Sequence, residues 1–195
     1  MNTSKLMVAL FATAGLCFAG GASADTMSRD ARAMAVKSAD AQYKVDRDGC
    51  KSLSGNAKDI CVEEAKGKDN VAKADADAAY ENTPKAREKA RAARADAAYN
   101  VAKEKCDDLA GNPKDVCVKE AKAAHVKATA DAKVDRVAAD EQRTSSEKTA
   151  TVKREAADDK RDADYKVAVE KCDALAGAAK DTCAHDAKMR YGKTS

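Results

Sequence analysis

The sequence predicts an all-α protein of three antiparallel helical hairpins, about six helices, each stapled near its turn by a Cys-x10-Cys disulfide. The first sign is a 24-residue frame, Tyr-x6-Cys-x2-Leu-x-Gly-x2-Lys-Asp-x-Cys-x3-Ala-Lys. It occurs at Tyr43–Lys66, Tyr99–Lys122 and Tyr165–Lys188, with its nine specified residues the same in all three copies. A fixed-period unit with paired cysteines describes a scaffold better than an active site. The second sign is composition. From Asp25 onward the chain has 171 residues but only three Leu, one Ile, thirteen Val and no Phe or Trp, against 40 Ala and 68 charged residues. So few large apolar residues would signal disorder, except that 35 basic and 33 acidic residues nearly cancel and Ala, Lys, Glu and Arg are strong helix formers. The third sign is acid-before-base spacing at i,i+4: Asp40 and Lys44, Glu64 and Lys68, Asp69 and Lys73, Asp115 and Lys119, Asp162 and Lys166, Asp186 and Arg190. Each such pair adds only about 0.2–0.5 kcal/mol to a helix, but there are many.

Residues 1–24 differ in kind from the rest. Lys5 gives a positive start, Leu6 to Ala19 is apolar, and Ala22-Ser23-Ala24 offers small residues for cleavage. This reads as a secretory signal peptide, too short for a membrane span. The alternative, a lipoprotein signal ending at Cys17, is disfavoured by Leu16 and Phe18 beside it. The mature chain, without a membrane span, is expected in the periplasm.

The hairpins divide at 25–82, 83–144 and 145–195. In the second copy Gly111 can end a helix in the left-handed conformation, Asn112 can cap the next, and Pro113 suits its first position. Asp115 then meets the free N–H groups of the first turn. The first copy repeats this with Gly55, Asn56 and Asp59, whereas the third has Ala178 at the cap, so its second helix should fray more easily. Between repeats, Asn82-Thr83-Pro84 and Thr144-Ser145-Ser146 lie at the midpoints between successive cystines. Helices are therefore expected over 27–54, 57–81, 84–110, 113–143, 147–176 and 178–191, with all cystine tips pointing one way. A coiled-coil-like alanine seam runs through Ala92, Ala95, Tyr99, Ala102, Cys106 and Leu109, and on through Cys117, Ala121, Ala124 and Ala128.

Six cysteines allow 15 pairings. Triplication and short turns favour Cys50–Cys61, Cys106–Cys117 and Cys172–Cys183. Two cysteines per hairpin are half a tetrahedral metal site, and no Cys-x-x-Cys is present. His125 and His185 lie on different repeats and read as exposed helical histidines. Tyr43, Tyr99 and Tyr165 read as bulky plugs below each disulfide. Lys85, Arg87, Lys89, Arg91 and Arg94 form a basic stripe against Glu88, with Arg87, Arg91 and Arg94 on one face. Such a stripe can grip an anionic polymer, although solvated helix surface is the commoner meaning. No nucleophile elbow, phosphate loop or metalloprotease motif occurs, so neither a catalytic residue nor a cofactor is expected.

The Ala/Lys/Asp-rich helices behind a signal peptide resemble the periplasmic helical region of TolA, the bacterial envelope protein. The frame Cys-Asp-x-Leu-Ala-Gly with Lys-Asp-x-Cys, as at Cys106 to Cys117, is more closely similar to secreted beta-proteobacterial proteins labelled TolA-like or cell envelope biogenesis protein. The resemblance implies an envelope location and carries over no functional residues. The expected function is a non-enzymatic structural or interaction role in the envelope, with an envelope protein as partner. The alternative is a chaperone-like or anionic-polymer-binding module; no small-molecule substrate is expected.

Overall fold

The computed structural model describes residues 26–141 and 146–193. The signal-peptide reading of 1–24, the alternative at Cys17 and the boundary at Thr144-Ser145 lie outside the described residues. Six helices follow one another: α1 (Arg29–Gly49), α2 (Gly55–Glu81), α3 (Pro84–Cys106), α4 (Asn112–Glu141), α5 (Ser146–Cys172) and α6 (Gly177–Tyr191). Among the described residues each helix packs only on the helices before and after it in the chain. The result is a single layer of antiparallel helices, open on both faces, and not a closed bundle.

Side-chain volume accounts for the single layer. The buried apolar residues are alanines, Val137 and the first cysteine of each frame copy, and the described residues include no buried polar or charged side chain. Alanine lets helix axes approach closely but offers one methyl group to bury, worth about 0.8 kcal/mol per carbon at best. A bundle interior would need large side chains along its centre, and from Asp25 onward the chain has only three Leu, one Ile and thirteen Val to place there. Helices α2 and α3 approach closely at Gly67, where an added Cβ would come 2.9 Å from the Ala97 Cβ. In the next repeat buried Ala123 and Ala163 hold the corresponding places.

An inner helix of such a layer needs two seams. On α4, His125 and Arg136 reach α3 through Asp96 and Glu88, while Lys127 and Lys133 reach α5 through Asp164 and Glu155. Ala121, Ala123, Ala130, Ala132 and Val137 are buried along these two flanks. The expected continuation of a single seam through Ala124 and Ala128 is therefore wrong; both are exposed. Leu109, placed at the end of the α3 seam, is likewise 44% exposed. A one-partner stripe cannot describe a helix flanked on both sides.

The turns also differ in detail from the sequence reading. Helix α1 stops at Gly49 and is followed by a 3-10 turn, Cys50–Ser52. In all three copies the frame leucine N–H closes a turn on the cysteine carbonyl, at 3.1, 3.0 and 2.9 Å for Leu53, Leu109 and Leu175. The first helix of each hairpin thus ends about four residues earlier than expected. The glycines are left-handed as expected, with φ of 56°, 62° and 55° at Gly55, Gly111 and Gly177, but they stand at the head of the second helix. At the opposite end, Asn82 is left-handed (φ 47°), the Thr83 hydroxyl accepts the Ala86 N–H at 3.0 Å, and Pro84 opens α3. That boundary is as the sequence reads.

Charges tie the layer sideways. Of the six i,i+4 pairs expected within helices, only Asp69–Lys73 forms, at 2.7 Å. Asp40 instead pairs with Lys73 (2.6 Å), Lys68 with Asp46 (3.3 Å), Glu64 with Lys105 (3.8 Å) and Lys119 with Glu170 (3.6 Å). The Asp162 carboxylate pairs with Lys193. Neighbouring antiparallel helices only one alanine width apart bring these long side chains within reach of each other. The Asp162 carboxyl is held below the usual carboxylate range by the hydrogen bond from Lys193. The Lys73 ammonium is held above its ordinary value by its hydrogen bonds to Asp40 and Asp69.

Gly67 and Gly49 make a paired test of this packing. Gly49 is helical, with φ −59°, and an added Cβ meets nothing within 4 Å. Gly49→Ala should stabilise the protein by about 0.5–1 kcal/mol, while Gly67→Ala should destabilise it by about 1–3 kcal/mol through overpacking. Urea denaturation of both variants measures the difference. Equal stabilisation by the two would mean that α2 and α3 do not approach so closely.

Candidate functional site

Three disulfides, Cys50–Cys61, Cys106–Cys117 and Cys172–Cys183, close the hairpins with Cα–Cα separations of 5.7, 5.6 and 5.7 Å. Each links the last turn of one helix, or the 3-10 turn after it, to the early turns of the next. They lie at one end of the layer, because the hydrogen bonds beside them run from hairpin to hairpin. The Asn56 side-chain amide donates to the Glu104 carbonyl oxygen at 2.8 Å, and that of Asn112 donates to the Glu170 carbonyl oxygen at 3.0 Å. These asparagines do not cap their own helices, as the sequence suggested. The left-handed glycine already opens the helix, so the asparagine falls inside the first turn and its amide points sideways to the neighbour. This also explains the third copy. Ala178, on the last described helix, has no side-chain amide, so what the third copy lacks is a clamp, not a cap.

The frame carries a tenth shared position, Val45, Val101 and Val167, which a search for functional residue types passes over. Val101 lies with Val71 and Ala97 in an open groove of about 560 Å³ between α2 and α3, rimmed by Glu64, Lys68, Arg94 and Lys105. A second groove of about 500 Å³ follows α4 and α5, where Ala123, Val126 and Ala130 are flanked by lysines and carboxylates. Both are troughs between neighbouring helices.

His125 is not the freely exposed histidine expected; its side chain is 27% exposed. Its Nε2 lies 2.5 Å from Asp96 Oδ1 and its ring packs on Tyr99 with centroids 5.3 Å apart. An Asp–His pair suggests acid–base chemistry, but the nearby Thr129 hydroxyl is bonded to the carbonyls of His125 and Val126 on its own helix. Internal repetition gives a control. The corresponding residue is Asp69 in the first copy and Tyr191 in the third, where Tyr191 packs on Tyr165 at 6.3 Å. What recurs in the two later copies is a ring resting on the frame tyrosine, which is packing. The frame tyrosines are half-buried, and His185 is exposed.

The basic stripe lies at the end of the layer opposite the cystines. Arg87, Arg91 and Arg94 line one shallow groove between α2 and α3. Arg94 pairs with Asp75 on α2 at 2.5 Å, Arg91 pairs with Asp135 on α4, and Arg87 donates to the Asn82 side chain at 2.9 Å. Glu88 is taken by Arg136 at 2.6 Å. Three of the five cations thus already tie α3 to its surroundings; Lys85 and Lys89 stand beside them on the same helix.

Among the described residues no group of His, Cys, Asp or Glu is arranged to hold a metal ion, and no helix is long and apolar enough to cross a membrane. Three disulfides fit an oxidising, extracytoplasmic environment. No protein-family model, curated protein or solved structure matches the chain. The cystine edge is where covalent links and hydrogen bonds between hairpins coincide.

Reduction should loosen the fold strongly, since each staple contributes on the order of 3 kcal/mol in the chain-entropy model and the seams bury little. Helix melting of fully reduced protein, followed by circular dichroism, should fall by more than about 10 °C. The third hairpin should open first, because α6 has 15 residues and touches only α5. An unchanged melting curve after verified reduction would refute the staple account.

Removing the clamp separates its role from capping. Asn112→Ala should cost about 1 kcal/mol by removing one of the two donors to the Glu170 carbonyl, which keeps only the Asp173 N–H at 3.2 Å, and it should raise amide exchange in the last turn of α5. A capping role would instead raise exchange in the first turn of α4. Exchange read by NMR distinguishes the two.

Proposed function

We propose that this chain is a non-enzymatic structural or interaction element of the cell envelope. It is exported to the periplasm through cleavage after Ala24 and belongs with the TolA-like secreted helical repeat proteins. The observation that carries this reading is the single open layer held by three cystines. Seven of its ten repeated positions (Tyr, Val, Leu, Gly, Ala and the two Cys) are spent on packing and turn geometry, and its two broad faces are left to solvent and partners. Disulfides support an extracytoplasmic site of action. Among the clustered cations, Arg91 and Arg94 are engaged in ties between helices, which favours contact with a protein over the grip of an anionic polymer.

The test is photocrosslinking in a Gram-negative host, with probes on the two exposed faces of α3 and α4, followed by mass spectrometry. A small set of recurrent envelope proteins is the expected outcome, with the intact mass of the fractionated protein starting at Asp25. Crosslinks confined to solvent-quenched product, together with salt-sensitive retention on immobilised heparin that is lost in Arg87→Gln/Arg91→Gln/Arg94→Gln, would overturn this reading in favour of a polymer binder.

A further inference from the structure

The same docking surface is used twice inside the molecule, and half of it recurs at each open edge. On α3 the surface that receives α2 comprises Ala97, against Gly67, then Val101 and the Glu104 carbonyl that accepts Asn56. On α5 it comprises Ala163, Val167 and the Glu170 carbonyl that accepts Asn112. A second tie repeats beside it: Glu64 with Lys105 at 3.8 Å and Glu120 with Lys171 at 2.5 Å. Helix α1 carries the same receiving face on its outer side, as Ala41, Val45 and the Asp48 carbonyl. All three residues are exposed, Val45 by 65%.

Helix α6 is the counterpart of α2 and α4, and its outer side should fit that face on a second copy, extending the layer head to tail. Three substitutions interrupt the match. Ala178 stands where Asn56 and Asn112 donate the clamp. Met189, 63% exposed, stands where Gly67 and Ala123 allow close approach. On the receiving side Gly49 stands where Lys105 and Lys171 meet the glutamate, leaving Asp186 of α6 without a counterpart.

We propose that Ala178, Met189 and Gly49 terminate the array, keeping the α6 edge of one molecule from docking on the α1 edge of a second. Head-to-tail growth of this kind ends only where the rotation from copy to copy closes a ring, and otherwise runs on as an open filament. A bulky methionine at a glycine crossing forces the axes apart, and the missing amide leaves a carbonyl unclamped. The inference stands on the internal repetition and does not depend on where the protein acts.

Restoring the repeat consensus tests it. Wild-type protein should sediment with one mass at all concentrations. The full-length variant Gly49→Lys/Ala178→Asn/Met189→Ala should show a rise in weight-average mass of about twofold or more with concentration. Adding Ala41→Arg, which plugs the receiving face, should return it to the wild-type mass. A second arm mixes the Gly49→Lys chain with the Ala178→Asn/Met189→Ala chain, each supplying one restored edge, and expects a heterodimer. A restored variant with native helicity that keeps the wild-type mass overturns the proposal. So does wild-type protein that self-associates and loses association on Ala41→Arg, or a mixture that gives no heterodimer.

Discussion

The rest of the structure follows from the size of the side chains available for burial. Where the most that a helix can hide is a file of methyl groups, two helices gain by lying close and a third gains nothing by climbing on top. Ordering each residue costs about 1–2 kcal/mol of backbone entropy, and one buried methyl offsets only part of that. Helix propensity supplies a further share, lateral ion pairs a small one, and the cystines reduce what remains by constraining the unfolded chain. A single layer of helices, covalently pinned at one edge, is the arrangement these terms permit.

Within that layer the three copies of the frame act as controls on one another. Among the residues shared by all copies, the cystine, the leucine that closes the turn, the left-handed glycine and the alanine buried at Ala65, Ala121 and Ala187 serve the hairpin itself, while Val101 faces the hairpin before it. A residue shared by the first two only serves the junction to the next hairpin, as Asn56 and Asn112 do. A residue found in one copy, such as His125, belongs to local packing. Position within the array, more than residue type, tells these roles apart.

Much of the fold was legible because it rests on local signals. Glycine spacing, Asn82-Thr83-Pro84 and the paired cysteines fix hairpins, breaks and disulfides without reference to anything distant. The errors share one cause. Asn112 looks like a cap when its own helix is considered alone, Ala124 and Ala128 look like seam when only one partner is imagined, and Asp40 looks paired with Lys44 because no other helix is in view. Each choice depends on a neighbour whose lateral position the sequence does not state. The close approach at Gly67 was missed for the same reason, although a glycine inside a long helical stretch is a signal that could have pointed to it. The basic stripe was visible as charge, but its engagement by Asp75 and Asp135 was not.

Serial contact has a mechanical meaning. Force applied to the two termini of such a layer meets no interlocked centre, so an edge helix can peel away while the remainder keeps all of its own neighbours. Extension then proceeds in steps, and each step halts at a cystine, which withholds the loop inside it from the stretched contour. The chain would yield to tension gradually, as a ratcheted tether does, and recoil by re-laying each helix beside the one it had just left.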